Sequence, residues 1–309
     1  MTNLPIKKLE EIFGTRLQEN VYLSNYTTTR VGGPATGLLS INTAQEMEQA
    51  LKTIWELDIP YFILGSGSNL LVSDSGYDGI ILHNRAHNIK VNTKVDPPLV
   101  TAETGAGLGQ FAQMASRRGV GGFEWANSIP GTVGGAVYGN AGAHGSDVAE
   151  KLQSALVITR ENGTQRLSNE EMGYQYRSSK FKREGSDAVI LEATFIGKFV
   201  PAEESLALLQ ELTEKRRKHQ PVGPSFGSTF KNPDGNFAGK LLADAGMKGV
   251  SCGNASFSTV HANFILNNGD ASAQDYYCLI RQGQKRVKEQ FGVELNLEIE
   301  LLGEFQDVE

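Results

Sequence analysis

The stretch Ile129 to Gly145, IPGTVGGAVYGNAGAHG, places glycine at 131, 134, 135, 139, 142 and 145 with almost no charge between them. Glycine loses the most conformational freedom on folding and offers no side chain to pack. A run this dense therefore requires forced positive φ or an object set against bare backbone. A second such stretch, Gly65-Ser66-Gly67-Ser68-Asn69, follows the short apolar run Tyr61 to Leu64. A Gly/Ser/Asn loop at the carboxyl end of a strand is where α/β sheets hold ligands.

The rest of the chain limits what that object can be. With 309 residues there is room for two or three domains, each with its own core. A net charge of −6 excludes the broad basic surface that nucleic acid requires. No segment approaches the roughly 20 apolar residues of a bilayer span. The start lacks the apolar core of a secretory signal, so a cytoplasmic protein is expected. Cys252 and Cys278 lie far apart in sequence without a partner pattern, which supports neither a disulfide framework nor a zinc site, and no metal is expected. Gly65 and Gly67 precede Leu70 where a dinucleotide fingerprint needs a third glycine, and no GxxxxGK[ST] occurs, so neither a Rossmann turn nor a P-loop is expected.

Periodicity predicts a helix from Thr43 to Leu57 between strands at 37–41 and 61–64, with Thr43 and Glu46 at capping-box spacing. Short β-rich runs and one helix, Leu108 to Arg118, fill the region to about Lys198. A helix from Ser205 to His219, with Leu206, Leu208, Leu209 and Leu212 apolar, and another from Ser272 to Phe291 ending at Gly292 follow. Val293, Leu295, Leu297, Ile299 and Leu301 alternate with polar residues and predict a terminal strand with one buried face. Both glycine loops offer backbone N–H groups of the kind that bind pyrophosphate without a lysine. A dinucleotide cofactor between two small α+β domains accounts for the spacing, and so do tight turns in a β-rich domain.

Six ordered motifs separate these alternatives. They are YTTTRVGGPA from Tyr26, ILGSGSNLLVSD from Ile63, GFEWANSIPGTVGGAVYGNAGAHG from Gly122, YQYRSSKF from Tyr174, PSFGSTFKNP from Pro224 and AGKLLADAGMKG from Ala238. Together the chain resembles the UDP-N-acetylenolpyruvoylglucosamine reductase family of bacterial peptidoglycan precursor synthesis, from about residue 20 to 303. The resemblance implies an α+β fold: a two-part FAD-binding region of the vanillyl-alcohol-oxidase type, at 1–84 and 85–198, and a C-terminal α+β substrate-binding domain at 199–309.

It also implies a reaction: NADPH reduces FAD, and the flavin reduces UDP-N-acetylglucosamine enolpyruvate to UDP-N-acetylmuramate. Arg177 matches the arginine that polarises the substrate carboxylate, Ser228 the serine that protonates the carbanionic centre, and Glu298 the carboxylate that stabilises the intermediate. Thr229 is the neighbouring decoy. The cofactor-binding set implied is Gly65, Ser66, Gly67, Ser68, Asn69, Leu70, Ser128, Pro130, Gly131, Thr132, Gly134, Gly135, Asn140 and Gly142. For substrate it is Tyr176, Lys218, Lys231 and Asn232. The short distance from Arg177 to the following strand implies the compact form of the family, without an extra substrate-capping loop, and a monomer or weak oligomer is expected. The chain departs from the family pattern at Asn127-Ser128, Gly139, His144, Asn296-Leu297 and Glu300. The rival readings are another flavin oxidase of the same fold, which would lack the Ser228 and Glu298 motifs, and a nucleotide-sugar binding protein without catalysis.

Overall fold

A computed structural model describes residues 4–307. Met1 to Asn3, the start of the segment inspected for a signal, lie outside them. The chain divides into two compact units built from interleaved segments. One comprises the residues up to Leu38, Ser66–Ile80 and everything from Arg217; the other comprises Leu39–Gly65 and Ile81–Arg216.

In the second unit a five-stranded antiparallel sheet runs in the order Gly163–Ser168, Leu152–Thr159, Val189–Ile196, Leu99–Glu103, Ile89–Asn92. Its apolar side, with Val100, Ala102, Ala155, Val157, Ala193 and Phe195, packs on the helix Leu108–Arg117 and on the short helix Val133–Gly139. Phe111, Phe123 and Phe195 form a ring cluster with centroids 4.8 to 6.2 Å apart. The first unit is centred on the helix Ala273–Phe291. That helix packs with Ala238–Asp244 and the three-stranded sheet Ser251–Cys252, Ala255–Phe257, Ile265–Asn267 around Phe226, Phe230 and Tyr276. Strands Leu17–Tyr22, Pro34–Ile41, Tyr77–Asn84 and Tyr61–Leu64 pair in that order, and the second and third pass along the chain from one unit into the other.

The expected helix after Thr43 is observed as Ala44–Glu56, with the Thr43 side chain accepting from Glu46 N. The long helix is Ala273–Phe291, started by a Ser272/Asp275 capping box and ended by Gly292 at φ 69°. Two expectations change. In Ala202–His219 only Ser205 and Leu209 are buried, while Leu206 and Leu208 stay exposed. The reason is a polar contact: the Ser205 hydroxyl donates to the buried Glu124 carboxylate, and this fixes the helix face that turns inward.

The terminal strand is also shorter than its alternation predicts. Only Glu300–Leu302 is regular strand, paired in parallel with Leu70–Val72. Before it, Phe230 and Leu297 form one isolated bridge, so Leu295 and Ile299 keep their inward positions without a continuous ladder. The alternation itself slips at the end, where Leu302 is buried and Leu301 exposed. The two cysteines, far apart in sequence, are both free thiols and become neighbours: burial first, then a hydrogen bond and charge interaction with Cys278, push the Cys252 thiol up to about 12.

Candidate active site

The Gly65 to Leu70 loop joins strand Tyr61–Leu64 to Leu70–Val72. Gly67 adopts φ 61°, and a Cβ there would collide with the Tyr26 carbonyl. That contact explains the Thr-rich motif beside it. Thr28 N donates to Gly67 O at 3.2 Å, and the Thr28 hydroxyl donates to Ser225 O at 2.7 Å. The segment leading to Ser228 is thereby tied to Gly67. At the end of the loop Asn69 Nδ2 donates to Glu298 O at 3.1 Å, and Glu300 N donates to Asn69 O at 2.9 Å.

The glycines of the Ile129 to Gly145 segment have separate causes. Thr132 caps the helix Val133–Gly139, its hydroxyl accepting from Gly135 N. Val133 N and Gly134 N donate to Ala106 O and Thr104 O, so the amides of Gly134 and Gly135, two of the residues expected to face a ligand, are held by the protein itself. A Cβ at Gly134 would lie 2.8 Å from Thr104 Cβ, and one at Gly142 2.6 Å from Asp147 Cβ. The object pressed against those two is the chain. His144 and Gly145, at φ 55° and 83°, form the two-residue turn between the antiparallel pair Gly142–Ala143 and Ser146–Asp147, and a turn with both central residues left-handed is the preferred hairpin connection. His144 is thus a turn residue, its pKa lowered by desolvation and by Arg216 and Lys215. Gly139, in contrast, borders open space, and a Cβ at Gly135 would make only an ordinary contact, 3.7 Å from Thr132 Oγ1.

Just before this segment in the chain, the Ser128 hydroxyl is buried without a hydrogen-bond partner among the described residues. Leaving such a group unpaired costs about 1–3 kcal/mol, which a polar ligand atom would offset. The unpaired Ser128 hydroxyl and the open face of Gly139 fit a bound cofactor with hydrogen-bonding atoms, as FAD has.

Arg177 sits at the tip of a tight turn in which Gln175 N donates to Ser178 O at 2.9 Å and Ser178 N to Gln175 O at 3.1 Å. Its backbone is left-handed, φ 53°, a conformation that costs a non-glycine residue energy and persists only where the surroundings enforce it. One guanidinium nitrogen, Nη2, donates to Gly142 O at 2.8 Å, and the guanidinium lies 5.3 Å from the centroid of the exposed Tyr176 ring. Arg177 and Tyr176 line a cavity of about 480 Å³ together with Gly142, Ser146, Asp147 and Glu150.

Ser228 and Glu298 lie on two segments of the first unit that are joined through backbone hydrogen bonds. Ser228 forms a bridge with Phe264, and Glu298 N donates to Thr229 O at 2.9 Å, while Lys231 N donates to Asn296 O at 2.9 Å. Ser228 and Glu298 are both half-buried. Thr229 is 0% exposed and its hydroxyl donates to Asn263 O at 3.0 Å. The decoy is therefore a structural hydroxyl. Asn232 Oδ1 accepts from Ala238 N at the start of Ala238–Asp244, and Lys218 is an exposed cation near the end of Ala202–His219.

Sequence reasoning missed Asn263. Only 3% exposed, it accepts from Phe230 N at 3.0 Å and donates to Phe230 O at 2.8 Å, while its own backbone carbonyl accepts from Thr229. The available signal was one amide in the apolar run Ala262 to Ile265, a position that requires partners.

Similarity to known proteins agrees with this geometry. Residues 218–302 match the C-terminal domain of UDP-N-acetylenolpyruvoylglucosamine reductase, and residues 35–168 match an FAD binding domain. The UDP-N-acetylenolpyruvoylglucosamine reductase of Lachnoclostridium phytofermentans is 38% identical over 308 residues, covering 98% of this chain and 99% of its own length. This chain belongs to the UDP-N-acetylenolpyruvoylglucosamine reductase family. The Clostridium novyi reductase is 40% identical over 300 residues, covering 96% of each. The crystal structure of the reductase from Thermus caldophilus superposes with a TM-score of 0.78 at 34% identity, over 93% of this chain and 99% of that one.

Within this reductase family assignment both glycine loops fall inside the FAD binding domain, and Ser228, Lys231, Asn232 and Glu298 inside the C-terminal domain. The α+β class expected from the motifs holds. Tyr176 and Arg177 lie between the two matched regions. No helix of the described residues is long and apolar enough to cross a membrane, and none of their acidic, histidine or cysteine side chains group as a metal site.

Proposed function

We propose that this chain reduces the enolpyruvyl ether of UDP-N-acetylglucosamine to the lactyl ether of UDP-N-acetylmuramate, with NADPH as reductant. Residues 1–84 and 85–198 would hold FAD, and 199–309 the uridine nucleotide sugar, in a cytoplasmic monomer or weak oligomer. When bound, FAD supplies the hydride that it takes from NADPH. Gly65 to Leu70, with Ser128, Pro130, Gly131, Thr132 and Gly135, are the residues we assign to it, while Gly134 and Gly142 serve the packing of the chain around them.

Hydride arriving at the vinyl carbon leaves an electron pair on the neighbouring carbon, shared with the carboxylate as an enolate. A guanidinium pairs with both carboxylate oxygens and keeps its charge throughout, which is the task we assign to Arg177. The Ser228 hydroxyl then gives its proton to carbon and recovers one from water. Glu298, whose backbone is bonded to Thr229 O, is the carboxyl that we place at the same centre. Tyr176, Lys218, Lys231 and Asn232 are assigned to the sugar nucleotide.

The observation that carries this reading is the division of labour at Ser228-Thr229. One hydroxyl is fully buried and committed to Asn263, and the adjacent one is half-buried beside the Glu298 segment. The test is anaerobic. Purified protein treated with NADPH should lose its visible flavin absorbance, and UDP-N-acetylglucosamine enolpyruvate should restore it with stoichiometric product. Bleaching without restoration by substrate would leave a flavoprotein that is not this reductase.

A further inference from the structure

We propose that Asn140 is a positioning residue for Arg177 and not a contact of the cofactor; the inference rests on the role assigned to Arg177 above. Asn140 ends the helix Val133–Gly139 in the left-handed conformation, φ 48°, and is only 3% exposed. Its amide is committed to the protein. Nδ2 donates to Gln175 O at 3.1 Å and lies 3.3 Å from Asp147 Oδ2, and Oδ1 accepts from Ala149 N at 2.9 Å. Both N–H groups and one lone pair are thus used, which leaves no donor for a phosphate or a flavin carbonyl.

The partner that matters is Gln175 O. It also accepts from Ser178 N and so closes the turn whose tip is Tyr176-Arg177. That turn holds Arg177 at φ 53°, where a non-glycine backbone needs outside support. The far end of the same arginine donates to Gly142 O, two residues beyond Asn140. Backbone and guanidinium are therefore both referenced to residues 140–142, where Asn140, followed by an alanine and a glycine, carries the side chain that can hydrogen-bond. Asp147 completes the arrangement: Oδ1 accepts from Glu150 N at 3.1 Å, and Oδ2 faces Asn140. Loss of the amide frees the turn, and a shift of about 1 Å in a group that binds the reacting carboxylate costs on the order of a hundredfold.

The experiment uses the flavin-loaded protein and two variants that keep the left-handed backbone. Asn140→Gly removes the amide entirely. Asn140→Asp keeps the acceptor for Ala149 N but loses both donors. Flavin content and the rate of bleaching by NADPH should stay within about twofold of the parent, while restoration of the flavin by substrate slows roughly 10- to 100-fold. Calorimetric binding of UDP-N-acetylglucosamine enolpyruvate to the oxidised protein should weaken in step. In an Arg177→Ala background the same changes should add less than about twofold, because the group they position is gone. Loss of flavin, equal slowing of both half-reactions, or full multiplication with Arg177→Ala would overturn the proposal. Normal restoration in Arg177→Ala alone would instead remove Arg177 from the mechanism, and the need to position it.

Discussion

At Ser228 and Thr229 two adjacent hydroxyls differ in everything but chemistry, because burial and Asn263 claim one of them. Ser228→Ala should retain flavin, melting temperature and reduction by NADPH, yet slow reoxidation by substrate by about two orders of magnitude or more. Near-normal turnover would dismiss Ser228 as the proton donor. Cys252 offers a second residue-level expectation. An unperturbed thiol titrates near 8.5, whereas burial and the neighbouring Cys278 raise this one to about 12, so at pH 8 its thiolate fraction falls sharply. Alkylation of Cys252 by iodoacetamide, followed by peptide mass, should be at least about tenfold slower in the folded protein than in urea. Equal rates would contradict the burial. Both cysteines were visible in the sequence, but their meeting was not, since 25 residues and two strands separate them.

The long helix Ala273–Phe291 shows what an element's own sequence encodes and what it does not. Ser272, Asp275 and Gly292 mark its ends by local rules that need no tertiary partner. Two further first-turn amides, of Ala273 and Gln274, donate to the Asp74 carboxylate at 2.8 and 3.0 Å, from a residue about two hundred positions earlier in the chain. Asp74→Ala should lower stability by about 1–3 kcal/mol, with Asp74→Asn recovering part of it, as read by urea unfolding. No change would mean that water replaces the carboxylate fully. The terminal strand teaches the opposite lesson. Its alternation correctly turned Leu295 and Ile299 inward, yet strand pairing needs a neighbour with a free edge. Phe230 offers a single bridge, and only Leu70–Val72 gives a ladder.

Across the whole molecule, each unit carries a half-buried histidine whose pKa burial lowers: His83 in one, with Arg85 adding to the effect, and His261 in the other, with Lys248 opposing its charge. In the unfolded chain each takes a proton near pH 6.5, while in the folded chain it stays neutral to lower pH. The unfolded state then binds more protons. The stability these groups contribute is therefore complete above about pH 6.5 and is lost as the pH falls toward the depressed folded values. The melting temperature should fall between pH 6.5 and 5, and His261→Gln should flatten that fall. A pH-independent melting temperature in the variant and parent alike would refute the assignment.

The sequence alone determined the ends of the long helix, the inward positions of Leu295 and Ile299, the absence of a nucleotide-binding fingerprint and, through six ordered motifs, the family. These depend on local backbone preference or on residue order, both of which are written in one dimension. Only the tertiary structure decided why Gly134 and Gly142 must be glycine, which hydroxyl of Ser228-Thr229 is committed, and that Asn140, Asn263 and Asp74 hold distant backbone. Each of those turns on a contact between residues remote in sequence. Hydrogen bonding and excluded volume act through space, and the order of residues along a chain does not specify which polar group will find which partner.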